Sequence, residues 1–406
     1  MGGEILFLAH RLPFPPDRGD RIRSYNILQA LSKIAPVHVG CLADTRADAG
    51  YEPILADIAG SWCVAPRSKP LALAGVQALL ERQPVSLAAF RAPRLARWVE
   101  TTLRERDIGA VYVFSGQMGQ YVPGGYRGRL VVDLVDVDSA KFEAYGQRAS
   151  GPRAWIHARE GKLLGRVEAS LVERADTTLL VSEPEADLLR RRVGSEHEIR
   201  ALRNGIDHVR FDPSIVTPEP ALSRKGPHYV FTGQMDYAPN VEAVCRMASR
   251  IMPEVLRALP DARFHVVGRA PAREVMALDG INGTHVVGEV PDTRPWLAGA
   301  DAVVAPLTIA RGVQNKVLEA MAMARPVVLS PDAAVGIDAG PAEFVIAHDD
   351  AAFAESLVGL SHDPETGVAL GTAARHFVQE RMGWSALLAD LPLLLGFKSG
   401  SLQNAA

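Results

Sequence analysis

Cysteine is scarce. Only three occur in 406 residues, and Cys41, Cys63 and Cys245 show neither paired spacing nor a metal-ligand motif. This excludes a disulfide framework and a cysteine zinc site, and suits buried thiols in a reducing compartment. Long apolar runs are missing too: no uninterrupted stretch reaches the roughly 20 residues that a membrane-spanning helix needs. Residues 1–11 hold no basic segment followed by an apolar run and a cleavage site, so no signal peptide is expected, and the cytoplasm is the expected compartment. A surplus of positive charge is also absent. The 44 Lys and Arg against 47 Asp and Glu leave a net charge of -3, which argues against a nucleic-acid partner. No Gly-x-Gly-x-x-Gly follows the first apolar segment, where Pro15-Pro16-Asp17-Arg18-Gly19 stands instead; this disfavours a dinucleotide oxidoreductase.

The length exceeds what one hydrophobic core supports and suits two domains. With 48 % apolar and 22 % charged residues, the chain has the balance of a folded globular protein. Short apolar segments at 4–9, 37–42, 110–114, 130–135 and 177–181 read as buried strands, with helical stretches between them, notably 21–33 and 155–173. The pattern then restarts: strands at 228–232, 263–267, 285–287, 302–304 and 326–329 alternate with helices over 240–259, 292–298 and 313–324. Parallel neighbours need long crossover connections, so this alternation predicts an α/β protein of two Rossmann-like domains. The expected division is 1–205 for the first domain, a linker over 206–227 carrying Pro213, Pro218, Pro220 and Pro227, and 228–383 for the second. Residues 384–406 are expected to form a closing helix, packed back on the first domain, and a tail. The two parallel sheets are expected to face each other across a cleft, where ligand sites tend to lie.

The densest chemical signal is Gly312-Val313-Gln314-Asn315-Lys316-Val317-Leu318-Glu319, with the apolar Pro326-Val327-Val328 behind it. Gly312 reads as a tight turn feeding a helix. The unpaired amides at that helix start, where Gln314 and Asn315 stand, and the positive end of its dipole attract phosphate oxygens. Lys316 in the first turn brings an ammonium to the same phosphates. Glu319, three residues on and on the same face, is an acceptor for ribose hydroxyls. The competing account is a solvated Lys/Glu pair on a surface helix; the small residues around it and the buried strand after it favour a nucleoside diphosphate.

On these residues the chain resembles glycosyltransferase family 4. Residues 316–328 are similar to that family's helix around the glutamate that contacts the donor nucleotide. Asn204-Gly205-Ile206-Asp207, with Phe211 and Pro213 behind it, is similar to the family's Asn-Gly-(Val/Ile)-Asp signature, and 176–181 before Ser182-Glu183 resembles the strand and turn preceding it. Leu12-Pro13-Phe14-Pro15-Pro16, Asp133-Leu134-Val135-Asp136-Val137-Asp138-Ser139 and Arg311-Gly312-Val313-Gln314-Asn315-Lys316 resemble most the sugar transferases that accompany PEP-CTERM/exosortase and exopolysaccharide systems. The resemblance implies a GT-B fold, a nucleotide-sugar donor, a glycan or lipid-linked acceptor, retention at the anomeric carbon, and no metal or other cofactor. It also implies donor contacts from the loop of Gly336 and Ile337.

Two departures from that family stand out. It commonly carries two glutamates separated by seven residues, and the first of the pair is Arg311 here. A guanidinium at that place is expected to clamp the diphosphate instead of contacting the transferred sugar. The Arg and Lys usual after the first strand of the second domain are absent. That loop begins Gly233-Gln234-Met235-Asp236; Gly233 and Gln234 are kept as donor-binding residues, and Arg311 and Lys316 are expected to carry more of the phosphate charge.

In the first domain, Arg18, Gly19 and Arg21, with Arg23, follow the first strand at the end where open α/β sheets bind ligands, and form a candidate phosphate or acceptor loop. The alternative is a surface loop with Asp20 capping a helix. Asp136 and Asp138 form an Asp-x-Asp, read as cleft residues that orient the acceptor or assist proton transfer, against Asp138 as a helix cap. His10 reads as a hydrogen-bonded loop histidine. Between 66 and 98 stand six basic residues against the single acid Glu81, with two amphipathic helices over 71–80 and 94–103. This stretch suits either docking on an anionic membrane face or a solvated helix pair. Two rivals to transfer remain: a nucleotide-sugar epimerase of the same architecture, and a non-catalytic subunit of a polysaccharide assembly, raised by Arg311.

Overall fold

The computed structural model describes residues 2–16, 18–194, 196–309 and 313–397. The chain forms two compact units, Met1–Asn204 with Leu387–Ala406, and Gly205–Ala386. In the first unit β1 (Glu4–Ala9), β2 (Val37–Ala43), β3 (Ser61–Pro66), β4 (Ile108–Phe114), β5 (Arg129–Val135), β6 (Thr177–Leu180) and β7 (Ile199–Ala201) build one sheet in the order β3-β2-β1-β4-β5-β6-β7. All its pairings are parallel. In the second, β8 (His228–Thr232), β9 (Arg263–Val267), β10 (Thr284–Gly288), β11 (Ala302–Ala305), β12 (Val327–Leu329) and β13 (Val345–Ile346) form a parallel sheet in the order β10-β9-β8-β11-β12-β13.

Both sheets are wound the same way. The chain builds outward on one side of the first strand, then returns to its other side, so each sheet has one switch point: between β1 and β4, and between β8 and β11. Loops diverge there, leaving space at the carboxyl ends of the strands. The central strands are buried on both faces, and their near-continuous apolar runs are the signature of such positions.

The observed elements refine the expected ones in four places. β3, β7 and β13, which the apolar pattern does not reveal, are all edge strands, and two of them are only two or three residues long. The helix expected over 240–259 is Ala238–Arg246, a π turn at Met247–Ile251, and Met252–Ala258. Pro253, which has no N–H to donate, explains the looser turn before it. The stretch 206–227 is not a free linker but part of the second unit. Ile206 N–H donates to Met382 O at 2.9 Å, Glu219 N–H to Pro295 O at 3.0 Å, and Arg375 pairs with Asp212 at 2.9 Å. The expected closing helix is two short ones, Trp384–Leu387 and Leu391–Leu394; the latter lies in the first unit, where Arg129 Nε donates to Leu394 O at 2.9 Å. No helix among the described residues is long and apolar enough to cross a membrane.

One buried ion pair ties the first unit's switch point together. Arg23, on helix Gly19–Ser32, lies 2.9–3.0 Å from Asp133 on β5 and donates to Leu202 O at 2.7 Å and Asn204 Oδ1 at 3.1 Å. Tyr112 on β4 donates its hydroxyl to Asp133 at 2.9 Å. Burial raises the Asp133 carboxyl above its ordinary range while Arg23 pulls it down. Removing one partner leaves the other buried and unpaired, so Asp133→Asn is expected to cost about 3–5 kcal/mol, read as a lowered urea midpoint. Arg23→Met combined with Asp133→Leu is expected to recover much of that loss; a single substitution with no effect would show that the pair does not hold the unit.

Candidate functional site

At the switch point of the second sheet, a cavity of about 640 Å³ opens at the carboxyl ends of its strands. Its wall comes from four successive loops. Gly233, Gln234, Tyr237 and Asn240 follow β8; Gly268 and Arg269 follow β9; Glu289, Val290 and Thr293 follow β10; and Val313, Gln314, Asn315, Lys316 and Glu319 follow β11. The volume lies in the range of small-molecule sites.

Lys316 is the second residue of helix Asn315–Ala322 and Glu319 lies one turn on. The Lys316 ammonium donates to Asn240 Oδ1 and stands 4.1 Å from the centroid of the Phe231 ring, so it is held from one side by an amide and from another by an aromatic face. Asn240 is itself fixed, with Nδ2 donating to Gln234 O at 2.8 Å. The Glu319 carboxylate accepts no hydrogen bond from any described residue, and is therefore an open acceptor lining the cavity. Both side chains retain some solvent-accessible surface, through the cavity, while protein surrounds them elsewhere. Burial lowers Lys316 to about 8 against the pull of Glu319, and raises Glu319 to about 7 against the pull of Lys316 and Arg210. A lysine and a glutamate drawn toward neutrality in one cavity mark a functional site more than a structural ion pair.

Gln314 occupies the N-cap position and Asn315 begins the helix, so their backbone lies where a helix start presents unpaired amides. Gly336 is not in the cavity wall; it lies behind it, where a Cβ would stand 3.0 Å from Val313 Cγ2. Arg311 and Gly312 lie outside the described residues. Two contributors were not singled out from the sequence. Arg269 brings a second cation to the cavity and donates to Gln234 Oε1 at 2.8 Å; it is 47 residues before Lys316 in the chain, and only the adjacency of β8 and β9 makes it a neighbour. Asn240, behind Pro239 in the first turn of helix Ala238–Arg246 after a central strand, is the other; an Asn at that place is a usable signal.

The first unit's switch point gathers a different set. His10 follows β1 and stacks on Phe114 with 5.6 Å between ring centroids. Gln117, after β4, donates from Nε2 to Asp138 at 3.2 Å. Burial raises the Asp138 carboxyl, with Lys141 and Gln117 opposing, whereas Asp136 is exposed. Two non-glycine residues here have positive φ, Ser115 at 78° and Val135 at 71°; strain of this kind, greatest for a β-branched residue, clusters at working sites. Neither expected cap is one. Val137 and Arg18 hold the N-cap positions, so Asp138 and Asp20 lie inside their helices. Asp20 instead pairs with Arg11 at 2.7 Å and His10 at 3.4 Å, and although burial opposes it, these partners hold its carboxyl well below the usual range.

The anion loop needs correction. Arg21 is buried and its guanidinium is engaged by Asp48; Arg23 is committed to Asp133. Neither is available to a phosphate. Arg18 stays 46 % exposed beside Asp20 and Asp44, and Gly19 opens its helix with free space where a side chain would be. Among the described residues no group of three or more His, Cys, Asp or Glu side chains is arranged to hold a metal ion.

The shifted pair makes stability depend on pH. Glu319, raised from 4.5 to about 7, contributes stability that is complete below pH 4.5 and lost as pH rises through 7. Lys316, lowered from 10.5 to about 8, contributes stability that is complete above 10.5 and lost as pH falls through 8. The two buried groups therefore cost most between about pH 7 and 8. Glu319→Gln is expected to remove the decline between pH 4.5 and 7, on the order of 2 kcal/mol after allowing for water in the cavity. Urea unfolding across that range measures it, and a wild-type slope in the variant would contradict the burial of Glu319.

Residues 226–363 match the family described as glycosyl transferases, group 1. None of the curated protein sequences compared with the chain matches it. Solved structures resemble it over nearly its whole length. HepE of Anabaena, in complex with UDP and glucose, is 15 % identical over 97 % of this chain and 100 % of its own, with a TM-score of 0.59. Sucrose-phosphate synthase from Thermosynechococcus elongatus is 17 % identical over 97 % and 98 %, with a TM-score of 0.57. A glycosyltransferase from Rickettsia africae is 14 % identical over 99 % of both chains, with a TM-score of 0.60. At these identities the likeness is one of fold, and the fold is GT-B: two Rossmann-like domains with parallel sheets.

Proposed function

We propose that the chain is a glycosyltransferase of family 4, in the group that accompanies PEP-CTERM/exosortase systems. It takes a sugar from a nucleoside-diphosphate donor and passes it to a glycan or lipid-linked acceptor in exopolysaccharide or cell-surface glycan synthesis, on the cytoplasmic side. The observation that carries this reading is the Lys316–Glu319 pair, one helical turn apart, lining the cavity at the β8/β11 switch point within the stretch that matches glycosyl transferases, group 1. The UDP and glucose in the HepE complex support the donor class.

In the proposed reaction the bond between the anomeric carbon and the phosphate oxygen breaks, and its electron pair leaves with the diphosphate. The acceptor hydroxyl oxygen bonds to the same carbon, with retention, and its proton passes to a carboxylate, Asp138 or Asp136. Negative charge grows on the departing phosphate, so a cation already in place stabilises the transition state more than the ground state. Lys316 takes that role, with Arg269 of the same cavity on the phosphates and the amides of Gln314 and Asn315 at the helix start completing the cradle. Glu319 holds the ribose hydroxyls, Gly233 and Gln234 shape the loop beside the nucleotide, and Gly336 backs Val313 of the cavity wall. Asn240 positions Lys316. For the acceptor, Asp138 is preferred to Asp136, because its burial raises its proton affinity while Asp136 stands in solvent. No step of this scheme requires a metal.

Screening UDP-, GDP-, ADP- and TDP-sugars by thermal shift is expected to find one class that raises the melting temperature by a few degrees. With that donor, Lys316→Ala is expected to lower transfer about 10²–10³-fold with an unchanged circular dichroism spectrum. Asn240→Ala is expected to lose less, about tenfold, in kcat more than in KM, because the ammonium remains but wanders. Chelator is expected to leave the rate unchanged. Full activity in Lys316→Ala removes that residue from the mechanism. Conversion of donor without acceptor would favour the epimerase, and donor binding without turnover across an acceptor panel would favour the non-catalytic subunit.

A further inference from the structure

Helix Leu71–Leu80 carries no charged residue, and it is packed the wrong way round for an ordinary amphipathic helix. Ala74 and Ala78 face inward against Ala88 and Ala89 of the neighbouring helix Val85–Ala89. The large side chains point out: Leu71, Leu73, Val76, Leu79 and Leu80 are between 53 % and 79 % exposed. A helix normally buries its large apolar side chains and exposes its polar ones. Here four alanine methyl groups, with Val85 and Phe90 packed beside them, make the internal contact, and the helix's own large apolar side chains are left to solvent.

A second element extends this face. The Arg159 guanidinium, on helix Gly151–Arg174, donates to Ala78 O at 2.9 Å and Gln83 O at 3.3 Å. Glu160 accepts from the amides of Val85 and Ser86 and from the Ser86 hydroxyl at 2.7–2.9 Å. One turn before Arg159 on this fastened helix, Trp155 and Ile156 are 60 % and 49 % exposed. Scattered exposed apolar residues need no explanation; a cluster of seven on two tethered helices does.

The charge around the patch has one sign. Glu81, the acid of the 66–98 stretch, is neutralised by Arg91 at 2.6 Å. Lys69 is turned inward to Gln77 and Ala88 O. Arg82, Arg148, Arg153 and Lys162 are exposed and have no carboxylate partner among the described residues. We propose that this face docks the protein on an anionic phospholipid bilayer. The leucines, Val76, Ile156 and Trp155 enter the headgroup boundary, and the free cations lie over the lipid phosphates. The charge also argues against a second copy as the occupant: a twofold contact would set this cationic rim against itself, and like charges across an interface repel. The inference stands independently of the transferase reading.

Sedimentation of the full chain with vesicles tests it. Binding is expected to vesicles of phosphatidylcholine with about one-third phosphatidylglycerol, weakening as salt is raised, and not to phosphatidylcholine alone. Leu73→Glu with Leu80→Glu is expected to weaken binding about tenfold or more at an unchanged melting temperature, since both sites are exposed. Arg82→Glu with Arg153→Glu is expected to abolish most of the salt dependence. No binding to anionic vesicles, or wild-type binding by the leucine variant, overturns the proposal. So does a dimer, seen by light scattering, that the leucine variant turns into a monomer.

Discussion

The second unit's cavity rests on how closely the ends of β8 and β9 approach. A Cβ added to Gly268 would lie 1.6 Å from the Gly233 carbonyl oxygen, and one added to Gly233 would lie 2.8 Å from Asn240 Nδ2 and 3.2 Å from Lys316 Nζ. Any side chain at either position would push the strand ends apart or drive Lys316 from its place. With both positions bare, the loop after β8 turns tightly enough for Asn240 to reach back to Gln234 and forward to Lys316, and the ammonium settles over Phe231. The ligand-facing chemistry is thus set by backbone proximity first and by side-chain identity second.

The protein also shows two ways to bury a charge. Arg23 and Asp133 are enclosed completely, and each finds further partners: a carbonyl and an amide for Arg23, and a tyrosine hydroxyl for Asp133. Lys316 has one such partner and Glu319 none among the described residues. Desolvation without compensating hydrogen bonds moves both members toward neutrality. A pair left in that condition destabilises the fold, and any partner that hydrogen-bonds to both groups would relieve it. Poor satisfaction, more than burial, separates a site from a strut.

Much of this was legible in the sequence, for identifiable reasons. Central parallel strands are covered on both faces and write themselves as apolar runs, so β1, β8 and β9 were read to the residue. Edge strands are half covered; β7 and β13 are only three and two residues long, and β3, though six, is bounded by Ser61 and Pro66 and only half buried, so none left such a run. Lys316 and Glu319 were visible because one helical turn joins them in sequence as in space. Arg269 was not, because its tie to Gln234 crosses two strands. Arg21 was misread for the converse reason: an arginine after a first strand looks available until Asp48, 27 residues on, occupies it.

Charge is arranged differently in the two units. The first unit's loop after β1 is rich in arginine, yet its carboxylates answer it nearly one for one: Arg11 meets Asp20 and Asp44, Arg18 approaches the same two, Arg21 meets Asp48, and Arg67 meets Asp44. A guanidinium already paired offers an incoming phosphate little net field, because its own carboxylate cancels most of it. The described part of the second unit's cavity is different. Arg269 is tied only to the neutral amide of Gln234, and Lys316 to the neutral amide of Asn240. Amides orient a cation without neutralising it. Glu319 and Glu289 line the same cavity, but neither forms an ion pair with these two cations. The N–H donors of Lys316 and Arg269 are thus held by amides and free of any carboxylate contact among the described residues, whereas those of Arg11, Arg21 and Arg67 are already taken by carboxylates.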